Sequence, residues 1–171
     1  MAKLDRRSFL LGGTAIAAIV AIPFATRLVG TALGEGTGPV PGTFEVTHTD
    51  EEWRQILGDD AYYVMRMQGT EPPWTSALLN EHREGTFLCA GCDLPLFDHT
   101  MKFDSGTGWP SFFTTLPGAF ETSRDFKLIL PRTEYHCARC GGHHGHVFND
   151  GPAPTGKRYC NNGVALKFVA A

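Results

Sequence analysis

The stretch CARCGGHHGHVFNDGPAPTGKRYCNNG, residues 137–163, decides how the rest of the chain is interpreted. It opens with two cysteines separated by two residues, Cys137 and Cys140, and closes around a single cysteine, Cys160. The chain has five cysteines, and the remaining two, Cys89 and Cys92, repeat the CxxC spacing. Four paired cysteines and one isolated cysteine predict two different kinds of chemistry.

The two CxxC pairs predict a structural metal site. Two such turns supply four thiolates, the tetrahedral ligand set that zinc prefers in closed sites. The alternatives are a pair of disulfides or a redox CxxC in an oxidising compartment. A thioredoxin-type CxxC lies between a strand and a helix, whereas strand-like sequence follows both pairs here. We therefore expect one Zn²⁺, held by Cys89, Cys92, Cys137 and Cys140.

The isolated Cys160 has the neighbours of a reactive thiol. If KRYCNNG is a strand, Arg158 and Asn162 project to the same side as Cys160 because side chains alternate. A nearby guanidinium favours the thiolate and lowers the pKa of a cysteine, and Asn162 can donate a hydrogen bond. The alternative is an inert, buried cysteine, which is the common state of an unpaired one.

Imidazole and carboxylate groups in residues 143–150 favour proton-transfer chemistry near that thiol. His143, His146 and Asp150 lie between the second CxxC pair and Cys160. The histidines are either further metal ligands or acids and bases, the role that their unperturbed pKa suits. Because four cysteines already complete a tetrahedron, we expect the histidines to be free for proton transfer.

Composition and pattern favour a single, mainly β domain. A chain of 171 residues suits one domain, and its net charge of −3, without clustered Lys and Arg, gives no basic surface for nucleic acid. From residue 86 onward, short apolar runs alternate with turn residues, which predicts several short antiparallel strands. One predicted strand is Asp125–Leu130, with Phe126, Leu128 and Leu130 on one face.

Two short helices are expected at the start of the domain. Thr49 and Glu52 form a capping-box pattern, and the apolar residues that follow predict a helix that ends at Gly58. A second helix should begin at Asp59 and stop at Gly69.

The N-terminal segment predicts export. Arg6 and Arg7 precede Ser-Phe-Leu-Leu and a moderately apolar run, a pattern typical of a twin-arginine signal in residues 1–32. A membrane anchor is the alternative, because the apolar run approaches the thickness of a bilayer. Residues 33–43 form a Gly/Pro linker, and residues 44–171 form the domain. We expect a periplasmic protein, either released or tethered to the inner membrane.

Several ordered motifs together resemble the B-type methionine sulfoxide reductases. They are GTEPPW (69–74), CAGCDLPLF (89–97), KFDSGTGWPSF (102–112), residues 137–163 and ALKF (165–168). The resemblance extends over about residues 44–169. It implies reduction of the R epimer of methionine sulfoxide, mainly in proteins, by a monomer. It also implies two antiparallel β-sheets in a β-tent or barrel-like arrangement, short N-terminal helices and a four-cysteine zinc site.

The resemblance assigns roles around the isolated cysteine. Cys160 matches the nucleophile, which attacks the sulfoxide sulfur and becomes a sulfenic acid. His143 and His146 match the pair that binds and protonates the sulfoxide oxygen, and Asn162 helps to orient it. Arg158 and Asp150 are similar to the charged residues that tune and hold this network.

Two further positions carry implications for substrate and turnover. Trp109 matches the indole that receives the substrate's methyl group, although a plain core aromatic is the alternative. Thr107 stands where many relatives carry a second, resolving cysteine. We therefore expect an external reductant, either a thioredoxin-like protein or a small thiol, to attack the sulfenic acid.

Two other functions compete with reduction of a sulfoxide. The first is a zinc-ribbon-like β module that binds a protein partner and leaves Cys160 inert. The second is a thiol–disulfide oxidoreductase that uses one CxxC pair. Neither explains why Trp109, the histidine pair and the Arg158–Cys160–Asn162 alternation occur together.

Overall fold

The computed structural model describes residues 44–171, so the predicted signal and linker in residues 1–43 lie outside the described part. Among residues 44–171, no helix combines the length and the apolar character needed to cross a membrane. The described chain begins with one helical region, α1 (Asp50–Met67), and continues with nine strands. The strands are β1 (Gly85–Cys89), β2 (Pro95–Asp98), β3 (Lys102–Phe103), β4 (Ser111–Phe112), β5 (Phe120–Asp125), β6 (Arg132–Cys137), β7 (His143–Phe148), β8 (Arg158–Asn161) and β9 (Leu166–Ala170).

The helical region α1 contains the two predicted helices joined at a kink. The backbone N–H of Thr49 donates to Oε2 of Glu52 at 2.8 Å, and that of Glu52 donates to Oγ1 of Thr49 at 3.3 Å, which completes the capping box. Gly58 has φ 71° and ψ 173°, outside the helical region, and interrupts the helix. The expected break at Gly58 is thus confirmed, because only glycine adopts such angles without strain.

Two antiparallel sheets form the body of the domain, as the fold prediction requires. The smaller sheet has the strand order β2-β1-β9, and the larger has the order β3-β4-β8-β7-β6-β5. In the larger sheet β8 is an interior strand, paired with β4 on one side and β7 on the other. The strand that carries Cys160 is therefore held by backbone hydrogen bonds on both edges.

Stacked aromatic side chains join the two sheets. Phe97 of the smaller sheet stacks on Phe112 of the larger one, with ring centroids 3.8 Å apart, and Phe87 meets Phe112 edge-on at 5.0 Å. All three are fully buried. Burial of a phenylalanine contributes about 1.5–3 kcal/mol, so this cluster fixes β4, and with it the neighbouring β8, against the smaller sheet.

The predicted strand Asp125–Leu130 is wrong. Strand β5 ends at Asp125, and residues 126–131 form the turn that leads into β6. The backbone N–H of Lys127 donates to the Asp125 carboxylate at 2.8 Å, a local bond that starts a turn in place of an extended strand. Phe126, Leu128 and Leu130 consequently face solvent, although their alternation suggested a buried face.

Candidate active site and metal centre

The four paired cysteines converge on one point between the sheets. Cys89 ends β1 of the smaller sheet, and Cys137 ends β6 of the larger one. The four sulfur atoms of Cys89, Cys92, Cys137 and Cys140 all lie within 4.8 Å of one another. The Cys89–Cys140 and Cys92–Cys137 Sγ distances are 3.7 and 3.5 Å.

These distances fit a tetrahedral metal and not disulfides. Sulfur atoms about 2.3 Å from a shared zinc lie about 3.8 Å apart, whereas disulfide sulfurs lie at about 2.05 Å. All five cysteines, Cys160 included, are free thiols. The donor set of four thiolates therefore fits one four-coordinate metal, as the CxxC spacing predicted.

Tight turns and the helical region complete the metal centre. The turn that carries Cys137 and Cys140, which we call the second knuckle, is closed by two backbone bonds. The N–H of Cys137 donates to the Gly142 carbonyl at 2.9 Å, and the N–H of Gly141 donates to the Cys137 carbonyl at 2.8 Å. Gly141 has φ +69°, and an added Cβ there would collide with Phe44. The Arg66 guanidinium of α1 donates to the Cys140 carbonyl at 3.1 Å, so the helix is attached to the same knuckle.

The isolated Cys160 lies across from a histidine and a serine on the neighbouring strands. On β8 it is directly opposite His146 of β7 and Ser111 of β4. The side chain is partly buried.

Two opposing effects set the pKa of Cys160. Burial raises the pKa of the thiol and is the larger effect, while the charge of Arg158 and hydrogen bonds from Thr107 and Arg158 lower it. The net result is a raised pKa. Arg158 acts in the predicted direction, but it offsets only part of the cost of burying a thiolate.

The guanidinium of Arg158 is fixed by its partners. Its Nε and Nη2 atoms each donate to the Asp150 carboxylate at 2.9 Å, a bidentate pair. The group also stacks 4.4 Å above the ring of Phe148. Asp150 thereby holds the cation near Cys160.

His143 and His146 share a face because of a β-bulge. Residues three apart in a regular strand point to opposite faces. Here Tyr135 pairs with Gly145 and the adjacent His136 pairs with His143, so β7 carries one extra residue, His144. The His143 and His146 rings consequently approach to 5.4 Å between centroids. His144 instead packs in the core, and burial lowers its pKa to about 3.

The bulge depends on Gly145. A Cβ at this position would overlap the carbonyl oxygen of Cys160 on the adjacent strand. Only glycine permits β7 and β8 to approach this closely at the level of Cys160.

Two carboxylates that sequence reasoning missed hold the histidine pair. Asp125, at the end of β5, accepts from Nε2 of His146 at 2.7 Å and from Arg132 at 2.6 Å. Glu134, on β6, accepts from Nδ1 of His143 at 2.8 Å and from His136 at 2.9 Å. Each imidazole thus has one nitrogen engaged and the other available to a ligand.

The hydrogen bonds keep both carboxylates ionised. Burial alone would raise the pKa of Glu134, but the bonds from His136 and His143 lower it to about 2. The pKa of Asp125 is likewise lowered, because bonds from Lys127, His146 and Arg132 outweigh its burial. Burial lowers the pKa of His146, and Asp125 raises it by less. The net lowering favours a neutral His146 imidazole.

Trp109 and Asn162 are joined through the backbone of Glu71. The indole N–H of Trp109 donates to the Glu71 carbonyl at 3.1 Å. The amide oxygen of Asn162 accepts from the Glu71 N–H at 3.0 Å, and its amide nitrogen donates to the His144 carbonyl at 2.9 Å. Asn162 is buried and lies just beyond β8. Its amide therefore positions the backbone around the site.

Glu71 also caps the turn that follows Cys160. Its buried carboxylate accepts from the N–H groups of Gly163 at 2.5 Å and Val164 at 3.2 Å. Burial raises the pKa of this group despite the two bonds. One residue thus ties the Trp109 loop to the segment after Cys160.

Hydroxyl groups surround Thr107, the position at which many relatives carry a resolving cysteine. The Ser105 hydroxyl lies 2.8 Å from that of Thr107 and 2.7 Å from that of Ser111. Thr107 forms a hydrogen bond to the Cys160 thiolate that lowers its pKa. The other four cysteines are gathered in the metal centre.

The structure brings together most of the predicted site residues. Cys160, His146, Arg158 and Asp150 meet along β7 and β8 and the turn between them, and His143 joins them through the bulge. Among the missed residues, Glu71 lies within the motif GTEPPW and offered a local signal. Asp125 and Glu134 offered none, because strand pairing alone brings them to the histidines.

Comparison with known proteins places the chain in a family. Residues 57–170 match the SelR domain. The chain is 50% identical over 129 residues to the peptide methionine sulfoxide reductase MsrB of Leifsonia xyli subsp. xyli, covering 74% of this chain and 93% of that protein. It is 50% identical over 125 residues to MsrB of Pseudomonas putida, covering 72% and 94%. It is 48% identical over 125 residues to the chloroplastic peptide methionine sulfoxide reductase B1 of Oryza sativa subsp. japonica, covering 72% and 58%.

Matches of this extent agree with the site described above, in which a thiol lies opposite an imidazole, an indole is tethered nearby and four cysteines converge. The chain therefore belongs to the SelR-domain family of B-type methionine sulfoxide reductases.

Proposed function

We propose that the protein reduces the R epimer of methionine sulfoxide, mainly within polypeptides, to methionine. The position of His146 directly opposite Cys160 carries this proposal, because it sets an imidazole that can transfer a proton beside a thiol. Trp109, attached to the same site through Glu71, offers an apolar face for an S-methyl group. The relatives, which are named peptide methionine sulfoxide reductases, support the same substrate.

The proposed chemistry transfers oxygen from the substrate to the enzyme. His143 or His146 accepts the proton of the Cys160 thiol, the thiolate attacks the sulfoxide sulfur, and the imidazolium returns that proton to the sulfoxide oxygen. The hydroxyl then passes from the substrate sulfur to Cys160 as the bond between the two sulfurs breaks. The substrate gains two electrons and leaves as methionine, while Cys160 loses two and becomes a sulfenic acid. Arg158, held by Asp150, supports the thiolate, and Asp125 and Glu134 hold the imidazoles in place.

Regeneration of the thiol requires an external reductant. Thr107 occupies the loop beside Cys160, and the other four cysteines belong to the metal centre. A thiol of a thioredoxin-like protein or a small thiol therefore attacks the sulfenic acid, which releases water and forms a mixed disulfide. A second thiol of the reductant then displaces Cys160.

The metal in the four-cysteine centre is proposed to be zinc, one per chain. Four thiolates in a closed, buried set are the ligands of structural zinc sites. Such an ion stabilises the fold and takes no part in the reaction.

The same proposal includes the cellular setting. Residues 1–32 act as a twin-arginine signal, residues 33–43 as a linker and residues 44–171 as the reductase domain of a periplasmic monomer. The paired arginines before an apolar run support this, since the twin-arginine route exports proteins already folded around their metal.

The decisive experiment uses separated R and S epimers of a peptide that contains methionine sulfoxide. Wild type should reduce only the R epimer, and Cys160→Ser should reduce neither. With one equivalent of substrate and no reductant, mass spectrometry should find one added oxygen on Cys160. Equal rates on both epimers, or activity that survives Cys160→Ser, would exclude the proposal and favour a binding module.

A further inference from the structure

The turn between β5 and β6 exposes an unusual number of apolar side chains. Phe126, Leu128, Ile129 and Leu130, which we call the apolar tip, are 71%, 58%, 101% and 77% exposed. Single exposed apolar residues are common, but four within five consecutive positions are a concentration of the kind that marks an interaction site. Nothing in the core requires these residues, because β5 and β6 pair only up to Asp125 and Arg132.

The base of this turn is fixed to the active site. Asp125, immediately before the apolar tip, bonds both Nε2 of His146 and Arg132, which closes the hairpin. On the other side, the Lys127 ammonium donates to the Gln68 carbonyl at the end of α1 at 3.5 Å. A groove lined by Gln68, Arg124, Phe126 and Glu134 lies at the same base. The apolar tip therefore directly follows the residue, Asp125, that bonds His146 of the site.

We propose that the apolar tip binds the polypeptide segment that flanks the oxidised methionine, and that it favours segments with apolar neighbours. This rests on the proposed function. A methionine sulfoxide that reaches Cys160 leaves its own backbone at the rim of the site, and an extended chain advances about 3.3 Å per residue. Residues two to four positions away consequently pass over the surface around the site, and the apolar tip begins at the residue after Asp125, which bonds His146.

The chemistry of methionine favours this occupant. Methionine is among the residues most often buried in folded proteins, so segments that contain it are commonly rich in other apolar residues. When such a segment unfolds and is oxidised, its apolar neighbours are exposed together with the sulfoxide. An apolar turn beside the site would bind these neighbours and lower the KM for unfolded apolar segments.

A second copy of the chain fits the apolar tip less well. Stable protein–protein interfaces bury at least about 1,200 Å² in total, and four side chains on one turn supply only part of that area. A flexible peptide needs much less area, because it is already anchored by the sulfoxide side chain in the site.

The test compares three substrates and uses dithiothreitol as the reductant, so that docking of a protein reductant has no influence. Two are peptides of equal length and charge, with methionine-R-sulfoxide flanked by Leu and Val in one and by Ser and Thr in the other. The third is N-acetylmethionine-R-sulfoxide. The variant combines Leu128→Ser, Ile129→Ser and Leu130→Ser, all at exposed positions. The control combines Ile56→Ser and Val169→Ser, which are 45% and 51% exposed elsewhere on the surface.

We expect the tip variant to raise the KM of the Leu/Val peptide about tenfold, which corresponds to the loss of about 1.4 kcal/mol of binding. Its constants for the other two substrates should stay within about twofold of wild type, and the control variant should match wild type on all three. An unchanged KM for the Leu/Val peptide would overturn the proposal. An equal loss on all three substrates would also overturn it, because the apolar tip would then only support Asp125.

Two further measurements separate other occupants. Analytical ultracentrifugation of wild type and the tip variant tests for a dimer. If wild type is a dimer, the tip variant is a monomer and the KM of the peptides is unchanged, then the apolar tip binds a second copy and the proposal is refuted. Wild type that turns over none of the three substrates would instead refute the proposed function, so the two failures are distinguishable.

Discussion

At the scale of single residues, Cys160 is held in an environment that both hinders and assists its ionisation. Burial raises the pKa of the thiol, and the fixed charge of Arg158 lowers it by a smaller amount. The resting enzyme therefore keeps most of this thiol protonated at neutral pH, and the thiolate fraction depends strongly on Arg158.

The first prediction concerns the pH dependence of Cys160 alkylation. The rate with iodoacetamide should rise with pH through an apparent pKa above about 8.5, the ordinary cysteine value. Arg158→Met removes a charge that lowers the pKa, so the whole curve should move to higher pH and the rate at pH 7.5 should fall several-fold. Mass spectrometry of the Cys160 peptide against pH measures both.

Arg158→Lys is the matched control, because it keeps the charge and loses the bidentate pair with Asp150. Its curve should lie between those of wild type and Arg158→Met. A curve for Arg158→Met at or below the wild-type pKa would contradict the role given to this guanidinium.

The second prediction concerns Glu71, whose carboxylate accepts from two backbone N–H groups. Glu71→Gln offers one oxygen and sets an NH₂ group against a donor, so stability should fall by about 1–3 kcal/mol. The backbone carbonyl of Glu71 holds the Trp109 indole, and loss of the carboxylate's bonds should let this segment shift, so the KM for N-acetylmethionine-R-sulfoxide should rise more than kcat falls. Urea unfolding and steady-state kinetics check the two effects.

The control for Glu71 is Glu84→Gln, at an exposed position. It should change neither stability nor kinetics. If Glu71→Gln lowered only stability and left KM at the wild-type value, Glu71 would be a structural residue without influence on substrate position.

At the scale of elements, the bulge in β7 is the feature on which the histidine pair depends. The third prediction is that Gly145→Ala disrupts it, since the added methyl group meets the Cys160 carbonyl. We expect a loss of stability above about 2 kcal/mol and a larger loss of kcat/KM, because His146 and Cys160 must separate. Thermal unfolding and kinetics on the small substrate provide the measurements.

Gly118→Ala serves as the comparison for this prediction. Gly118 also has a positive φ, +70°, but no atom lies within 4 Å of its added Cβ. Its substitution should cost only the backbone strain, about 1 kcal/mol, and should leave kcat/KM unchanged. Equal losses for the two variants would mean that strand separation at Cys160 is not the cause.

Elements and site residues were predictable from sequence to the extent that their signals are local. The capping box of Thr49 and Glu52, the break at Gly58 and the CxxC pairs each involve neighbours in the chain. The alternation of apolar and other residues after Asp125 led to a wrong prediction, because a half-buried strand has the same pattern. The local bond from the Lys127 N–H to Asp125 starts a turn there instead. Asp125 and Glu134 reach the histidines through strand register, which a single sequence does not reveal.

At the scale of the whole molecule, the metal centre connects parts that are distant in the chain. Its ligands come from the end of β1 in one sheet and the end of β6 in the other, and Arg66 attaches α1 to the same place. The metal centre therefore acts as a crosslink between the two sheets and does not merely stabilise one loop.

The fourth prediction is that removal of the metal unfolds or loosens the whole domain. Chelation in denaturant followed by refolding, or Cys92→Ser, should lower Tm by at least about 10 °C, since binding and folding are coupled in such sites. Atomic emission should find one zinc per untreated chain, and circular dichroism measures Tm. Cys160→Ser is the control, and it should keep both the metal and the wild-type Tm. An unchanged Tm in protein stripped of metal would contradict the crosslink.

The interior position of β8 has a consequence for how the molecule moves. A strand bonded on both edges opens only when much of its sheet opens, so amide hydrogens on both sides of Cys160 should exchange with solvent at the rate of global unfolding. The turn after β5 lies at the sheet edge and should exchange far sooner. Cys160 thus lies on a backbone that is held on both sides, and the turn after β5 is joined to the site at its base, where Asp125 bonds His146.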